Sequence, residues 1–149
     1  MNRILIEKKE TKIKISLRRV KKVASRILED LGYNDHELSI LLVDNKEISY
    51  LNEKYLKRAG PTDVISFPMQ EGEFAGINAK LLGDVVISLD EAKRQSGKNL
   101  KNFEKEVFFL LIHGILHLLN YEHKNKKETY KMETVEKKLM NNLHDLKLI

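Results

Sequence analysis

Apolar residues along this 149-residue chain change their spacing several times, and each change marks an element. Ile4-Leu-Ile6 and the alternating Lys12-Ile-Lys-Ile15 carry the period of two that predicts short strands. From Leu17 the spacing becomes helical, with Val20, Val23, Ala24, Ile27 and Leu28 on one side, Ser16 as the N-cap and Gly32 as the stop. Leu38-Ser-Ile-Leu-Leu-Val43 reads as a buried strand. A helix capped by Asp44 or Asn45 follows it to about Leu56, with Ile48, Leu51 and Tyr55 as its apolar positions. Val64-Ile-Ser-Phe67, ended by Pro68, and Asp84-Val-Val-Ile-Ser88 are hairpin neighbours across a Gly- and Glu-containing loop. Downstream of Leu89 every period is helical: one helix to about Gly97, a strongly apolar one from about Asn99 to Leu119, and an amphipathic one from about Lys126 to Asn142.

Strands alternating with helices, then a hairpin, then a helical half predict an α+β (mixed α/β) fold. Its centre is a small, mixed, mostly parallel sheet of about four strands packed against helices. The length suits one domain over residues 1–149, with no internal repeat or low-complexity linker. The absence of Cys removes disulfides and thiolate metal sites. The longest apolar stretch, Val107 to Ile112, is far short of a membrane span, and no signal peptide is evident, so a cytoplasmic protein is expected. Lys and Arg number 27 against 22 Asp and Glu, a net charge of +5 that favours a polyanionic partner. The same Lys-rich composition is found in heat-adapted proteins. The cluster Arg18, Arg19, Lys21, Lys22 and Arg26 lies opposite the apolar stripe of the first helix and reads equally well as a solvated outer face.

The apolar helix ends in His113-Gly-Ile-Leu-His117-Leu-Leu-Asn-Tyr-Glu-His123, which holds three of the five histidines. Residues four apart on a helix are about 40° apart round the axis and roughly 6 Å apart along it, so His113 and His117 can grip one ion together. Six further residues would turn a continuous helix by roughly 240°, so His123 joins them only if the chain reverses just after Leu118 or Leu119. Asn120 is of the type that tolerates the left-handed dihedrals of such a reversal. A metal site is therefore expected at the C-terminal end of a central buried helix. Ordinary buried histidines are the alternative, but each of the three would then need a polar partner of its own. Three imidazoles leave one tetrahedral position open on a zinc-like ion, as in catalytic sites; nickel, copper and cobalt suit the same ligands.

An ion held in this way lowers the pKa of water from about 16 towards 7 and polarises a carbonyl or phosphoryl oxygen, which points to hydrolysis. Metallopeptidases with this ligand spacing carry Glu directly after the first His as general base, whereas this chain has Gly114. Phosphodiesters bring their own anionic oxygens and call for a cation against the charge that develops on them. Lys57 and Arg58 stand in the loop before Pro61-Thr-Asp-Val-Ile-Ser-Phe-Pro68, and the planar fork of Arg58 suits phosphate better.

Taken together, the histidine motif, Leu51-Asn52 with the Pro61–Pro68 segment, and Leu82-Gly-Asp-Val-Val-Ile-Ser88 resemble the YbeY family of bacterial endoribonucleases over roughly residues 38–123. The resemblance implies a zinc-dependent, single-strand-selective endoribonuclease acting in 3′-end maturation of small-subunit (16S) ribosomal RNA and in ribosome quality control. It implies one zinc ion per chain on His113, His117 and His123, with RNA and the small ribosomal subunit as partners and neither a membrane nor a small-molecule cofactor. The family pattern usually has Gly at Asn120, Asp at Glu122, and Arg at Leu56. Asn retains the left-handed turn, and Glu retains a carboxylate able to orient a ligand or assist proton transfer. Arg58, two residues beyond Leu56, is expected to take the place of the family arginine as the catalytic cation. Asp63, Ser66 and Asp84 in the matched segments read as turn, backbone-satisfying and strand-entry residues. Two competing readings are a non-catalytic ribosome-associated RNA-binding factor with a structural zinc, which predicts binding without turnover, and a metallopeptidase-like hydrolase, which Gly114 disfavours.

Overall fold

The computed structural model describes residues 1–9, 11–69 and 80–149. The order of elements is β1 (Arg3–Lys8), α1 (Leu17–Asp30), β2 (Glu37–Val43), α2 (Asn45–Leu56), β3 (Val64–Pro68), β4 (Leu81–Ser88), α3 (Leu89–Ser96), α4 (Leu100–Leu118) and α5 (Lys126–Asp145). The Gly- and Glu-containing connection expected between β3 and β4 falls in residues 70–79, outside the described residues. The sheet runs β1-β2-β4-β3; β1, β2 and β4 are parallel, and β3 pairs antiparallel with β4 as the edge. This is the mixed, mostly parallel sheet that the alternation of elements predicts, since parallel neighbours need a crossover and α1 provides the first.

Local chemistry sets the helix ends. The Ser16 hydroxyl accepts from the Arg19 N–H, the Asp44 carboxylate from Glu47, and Asn99 from Lys101 and Asn102. Such caps contribute about 1 kcal/mol each. Gly32, just past α1, takes φ +85°, the conformation expected of the stop.

Two expectations fail. Lys12–Ile15 is not a strand: the chain has left the sheet after β1, and Ile13 and Ile15 instead pin the connection by packing half-buried against the core. The alternation there marks one-sided burial without a partner ladder. On α2, Tyr55 is 56 % exposed and Asn52, one turn earlier, is buried in its stead.

The main core lies between the sheet and α1, α4 and α5. Phe108, Leu111, Ile112 and Ile115 of α4 are fully buried in it with Leu38, Ile40, Leu42 and Ile87. Each contributes about 1.5–3 kcal/mol by leaving water. On the other face α2 seals a smaller cluster of Val43, Ile48, Ile65 and Val86. The β2–β4 register slips by one residue before Leu38–Gly83, and Gly83 takes φ +138°. A Cβ there would run into the Phe67 carbonyl and stand 3.1 Å from Leu118, the last residue of α4. The bulge thus seats the end of the helix that carries the histidines.

Candidate metal centre and cleft

The end of α4 is fixed by two backbone hydrogen bonds, from the Tyr121 N–H to the Leu116 carbonyl at 2.9 Å and from the Asn120 N–H to the His117 carbonyl at 3.1 Å. Asn120 has φ +71°, so the six-to-one and five-to-two pattern of a Schellman cap reverses the chain at the expected residue. The reversal brings His123 back. Its ring centroid lies 5.1 Å from that of His117 and 5.9 Å from that of His113, and the His113 and His117 rings are 4.6 Å apart. One nitrogen from each of the three lies within 4.8 Å of the others.

The nitrogens suit an ion. His113 Nε2 and His117 Nε2 are 3.0 Å apart. Two ligands held tetrahedrally at zinc–nitrogen length stand about 3.4 Å apart, so this pair fits with little movement and the exposed His123 ring can adjust to complete the set. Burial, with the adjacent charges of His113 and His123, holds His117 below the ordinary histidine range; a hydrogen bond to the Tyr121 backbone and the charge of Glu136 oppose this. A depressed imidazole stays neutral, which is the ligating form. No Cys, Asp or Glu joins the three among the described residues, so the set is the three-ligand kind that leaves a position open.

A cleft of about 500 Å³ opens onto the histidines, walled by β3 and the loop before it. Arg58 and Leu56 both line it. The loop owes its shape to α2. Lys57 takes a left-handed conformation as the C-cap, the buried Asn52 donates from Nδ2 to the Gly60 carbonyl at 3.0 Å, and its own carbonyl accepts from the Arg58 N–H at 3.3 Å. Lys57 itself turns back, donating from Nζ to the Lys54 carbonyl at 3.2 Å. Of the two cations in this loop, Arg58 is therefore the one that lines the cleft. Asn52→Ala removes the loop's side-chain anchor, and a loss of about 1–2 kcal/mol in chemical denaturation is expected. Proteolysis at residues 57–60 should quicken with it.

The other residues of the matched segments divide. Asp63 lines the cleft and accepts from Gln95 Nε2 at 3.2 Å, while its backbone carbonyl accepts from the Ser88 N–H at 2.9 Å. Ser66 also lines it and donates to the Gly114 carbonyl at 2.7 Å, satisfying backbone as expected. Asp84 lies on the opposite face of the sheet with Ser39 and Phe67, away from the histidines. Glu122 pairs with Lys124 at 3.1 Å. Among the described residues, the carboxylate that touches one of the three clustered histidines comes from α5: Glu136 Oε1 lies 3.3 Å from His113 Nδ1. Glu136 has no place in the linear motifs, and Asn52 enters them only as part of the Leu51-Asn52 match, with no sign of its anchoring role; a Glu interrupting the apolar stripe of α5 is the available signal.

Gly114 explains why the peptidase base is absent. Its Cα faces the sheet, and a Cβ would stand 2.6 Å from Val85 Cγ1 and 3.1 Å from Val64 Cγ2. A glutamate has no room there while α4 lies this close to β3 and β4.

Comparison with known proteins identifies the family. The family model described as Endoribonuclease YbeY matches residues 5–144. Endoribonuclease YbeY of Syntrophotalea carbinolica is 47 % identical over 141 residues, covering 93 % of this chain and 94 % of that protein. The protein of the same description from Aquifex aeolicus is 43 % identical over 143 residues, covering 95 % and 92 %. The solution structure of TM1509 from Thermotoga maritima superposes with a TM-score of 0.54 at 27 % identity, over 99 % of this chain and 95 % of that one.

Proposed function

The chain belongs to the endoribonuclease YbeY family, and on that premise we propose that it is a zinc-dependent endoribonuclease that cuts single-stranded RNA in the histidine cleft. The observation that carries the reading is the convergence of His113, His117 and His123 with Arg58 on one cleft. His113, His117 and His123 hold one ion, which when bound supplies Lewis acidity to a phosphoryl oxygen and acidifies water. Arg58 pairs with the phosphate and opposes the negative charge that grows on its oxygens in the transition state. Ser66 and Gly114 hold β3 against α4 and so keep the cleft wall in register with the ligands. We place the substrate in ribosomal RNA near the small-subunit 3′ end, with roles in maturation and ribosome quality control. Residues 1–149 act as one catalytic domain in the cytoplasm, with the small ribosomal subunit as partner; among the described residues no helix is long and apolar enough to cross a membrane. A single-stranded fragment from the small-subunit RNA 3′ end should be cut faster than the same sequence in a duplex.

Arg58 is testable by transplantation. Arg58→Ala should lower kcat/KM on single-stranded RNA by about a hundredfold, the order expected for one charge-stabilising group. Adding Leu56→Arg, which restores an arginine to the same cleft, should recover much of that loss. Wild-type cleavage by Arg58→Ala would remove Arg58 from the mechanism.

A further inference from the structure

The buried stripe of α5 is Met132, Glu136, Leu139 and Leu143. Three of these belong to the core, and the fourth is a carboxylate, only 6 % exposed, set among them. Burying a carboxylate in an apolar stripe costs stability, and an apolar residue at the same place is generally neutral or stabilising. A local rule broken without gain to the fold calls for a gain elsewhere.

Among the described residues the side chain within hydrogen-bond distance of Glu136 is His113, across 23 residues of sequence; the charge of Glu136 also reaches His117. Its Oε1 lies 3.3 Å from Nδ1, while Nε2 of the same ring is the atom 3.0 Å from His117. An imidazole with a carboxylate at Nδ1 keeps its N–H there and its lone pair at Nε2, pointing towards the other histidines. The contact also fixes the ring's rotation, because α5 is held in place by Met132 on one side of Glu136 and Leu139 on the other.

We propose that Glu136 is a positioning residue that holds His113 in the ligating tautomer and orientation, so that docking of α5 and binding of the metal ion are coupled. The proposal rests on the three-histidine reading of the site. Metal affinity should fall by about 10–100-fold when the carboxylate is lost, the range typical of partners that orient a ligand.

The experiment measures zinc affinity by competition with a chromogenic chelator, and apo-protein Tm, in wild type, Glu136→Gln, Glu136→Met and His117→Ala. Saturation of wild type at one ion per chain, abolished in His117→Ala, establishes the site independently of Glu136. On that footing, Glu136→Met should keep or raise the apo Tm while weakening zinc by about 10–100-fold. Glu136→Gln, whose side-chain oxygen can still accept from Nδ1, should fall between it and wild type. The absorption spectrum of bound cobalt should shift in Glu136→Met. A lower apo Tm with unchanged zinc affinity in both Glu136 variants would overturn the proposal and leave Glu136 a structural residue. Absence of zinc binding in wild type would overturn the three-histidine reading itself.

Discussion

Replacing His117 by Ala is expected to lower cleavage of single-stranded RNA by about a thousandfold, with the circular dichroism spectrum unchanged. His117 sits between the other two histidines: its Nε2 is 3.0 Å from that of His113, and its ring is 5.1 Å from that of His123. Removing it leaves two imidazoles, one of them on an exposed segment after the helix, and the ion loses its grip along with the several kcal/mol of charge stabilisation it supplies. The fold should survive because the packing of α4 rests on Phe108, Leu111, Ile112 and Ile115, which His117 does not replace. A scan of zinc concentration separates the two components of the effect. If His117→Ala only weakens binding, excess zinc restores activity; if geometry is lost as well, it does not.

Gly114→Ala is expected to lower Tm by about 4–8 °C. Alanine is the better helix former by about 1 kcal/mol, so an exposed glycine in mid-helix would gain from the change. Here the added methyl would meet Val85 Cγ1 at 2.6 Å and Val64 Cγ2 at 3.1 Å, and two β-branched residues on the paired strands β4 and β3 have little freedom to retreat. Overpacking costs about 1–3 kcal/mol, and a 2.6 Å approach to a stiff side chain stands at the top of that range; less the propensity gain it leaves about 2 kcal/mol, and each kcal/mol moves Tm by about 2–4 °C in a chain of this size. The damage should extend to function, because α4 cannot move off β3 and β4 without carrying His113 and His117 with it. Gly114→Glu, which writes the peptidase motif into the sequence, should unfold the protein and not confer peptide hydrolysis. A thermal melt of Gly114→Ala at or above the wild-type Tm would contradict the close-packed account of α4.

What was legible in the sequence was local. Ser16, Asp44 and Asn99 announce helix starts because a cap bonds within three residues of itself, and Asn120 announces a reversal because few residue types accept φ near +71°. The return of His123 follows from that reversal, so the convergence of the three histidines could be read from eleven consecutive residues. Contacts between distant segments could not. Glu136 meets His113 only because α5 docks on α4, and Asn52 is buried only because the loop to Gly60 folds over it. The failed strand at Lys12–Ile15 has the same cause: alternation reports which side of a segment is buried, and says nothing of whether a neighbour offers a ladder. Leu56 shows the converse. A departure from the family pattern looks serious in a linear motif, yet the left-handed Lys57 turns the chain so that Leu56 and Arg58 share one cleft.

The measurement that bears most directly on the central claim is a zinc titration of metal-stripped protein, followed in parallel by bound ion per chain and by single-turnover cleavage of a single-stranded small-subunit RNA fragment. Cleavage should be negligible without metal and rise in step with occupancy, reaching its plateau at one ion per chain. Equal cleavage by stripped and loaded protein, or full occupancy with RNA bound and left uncut, would contradict the account.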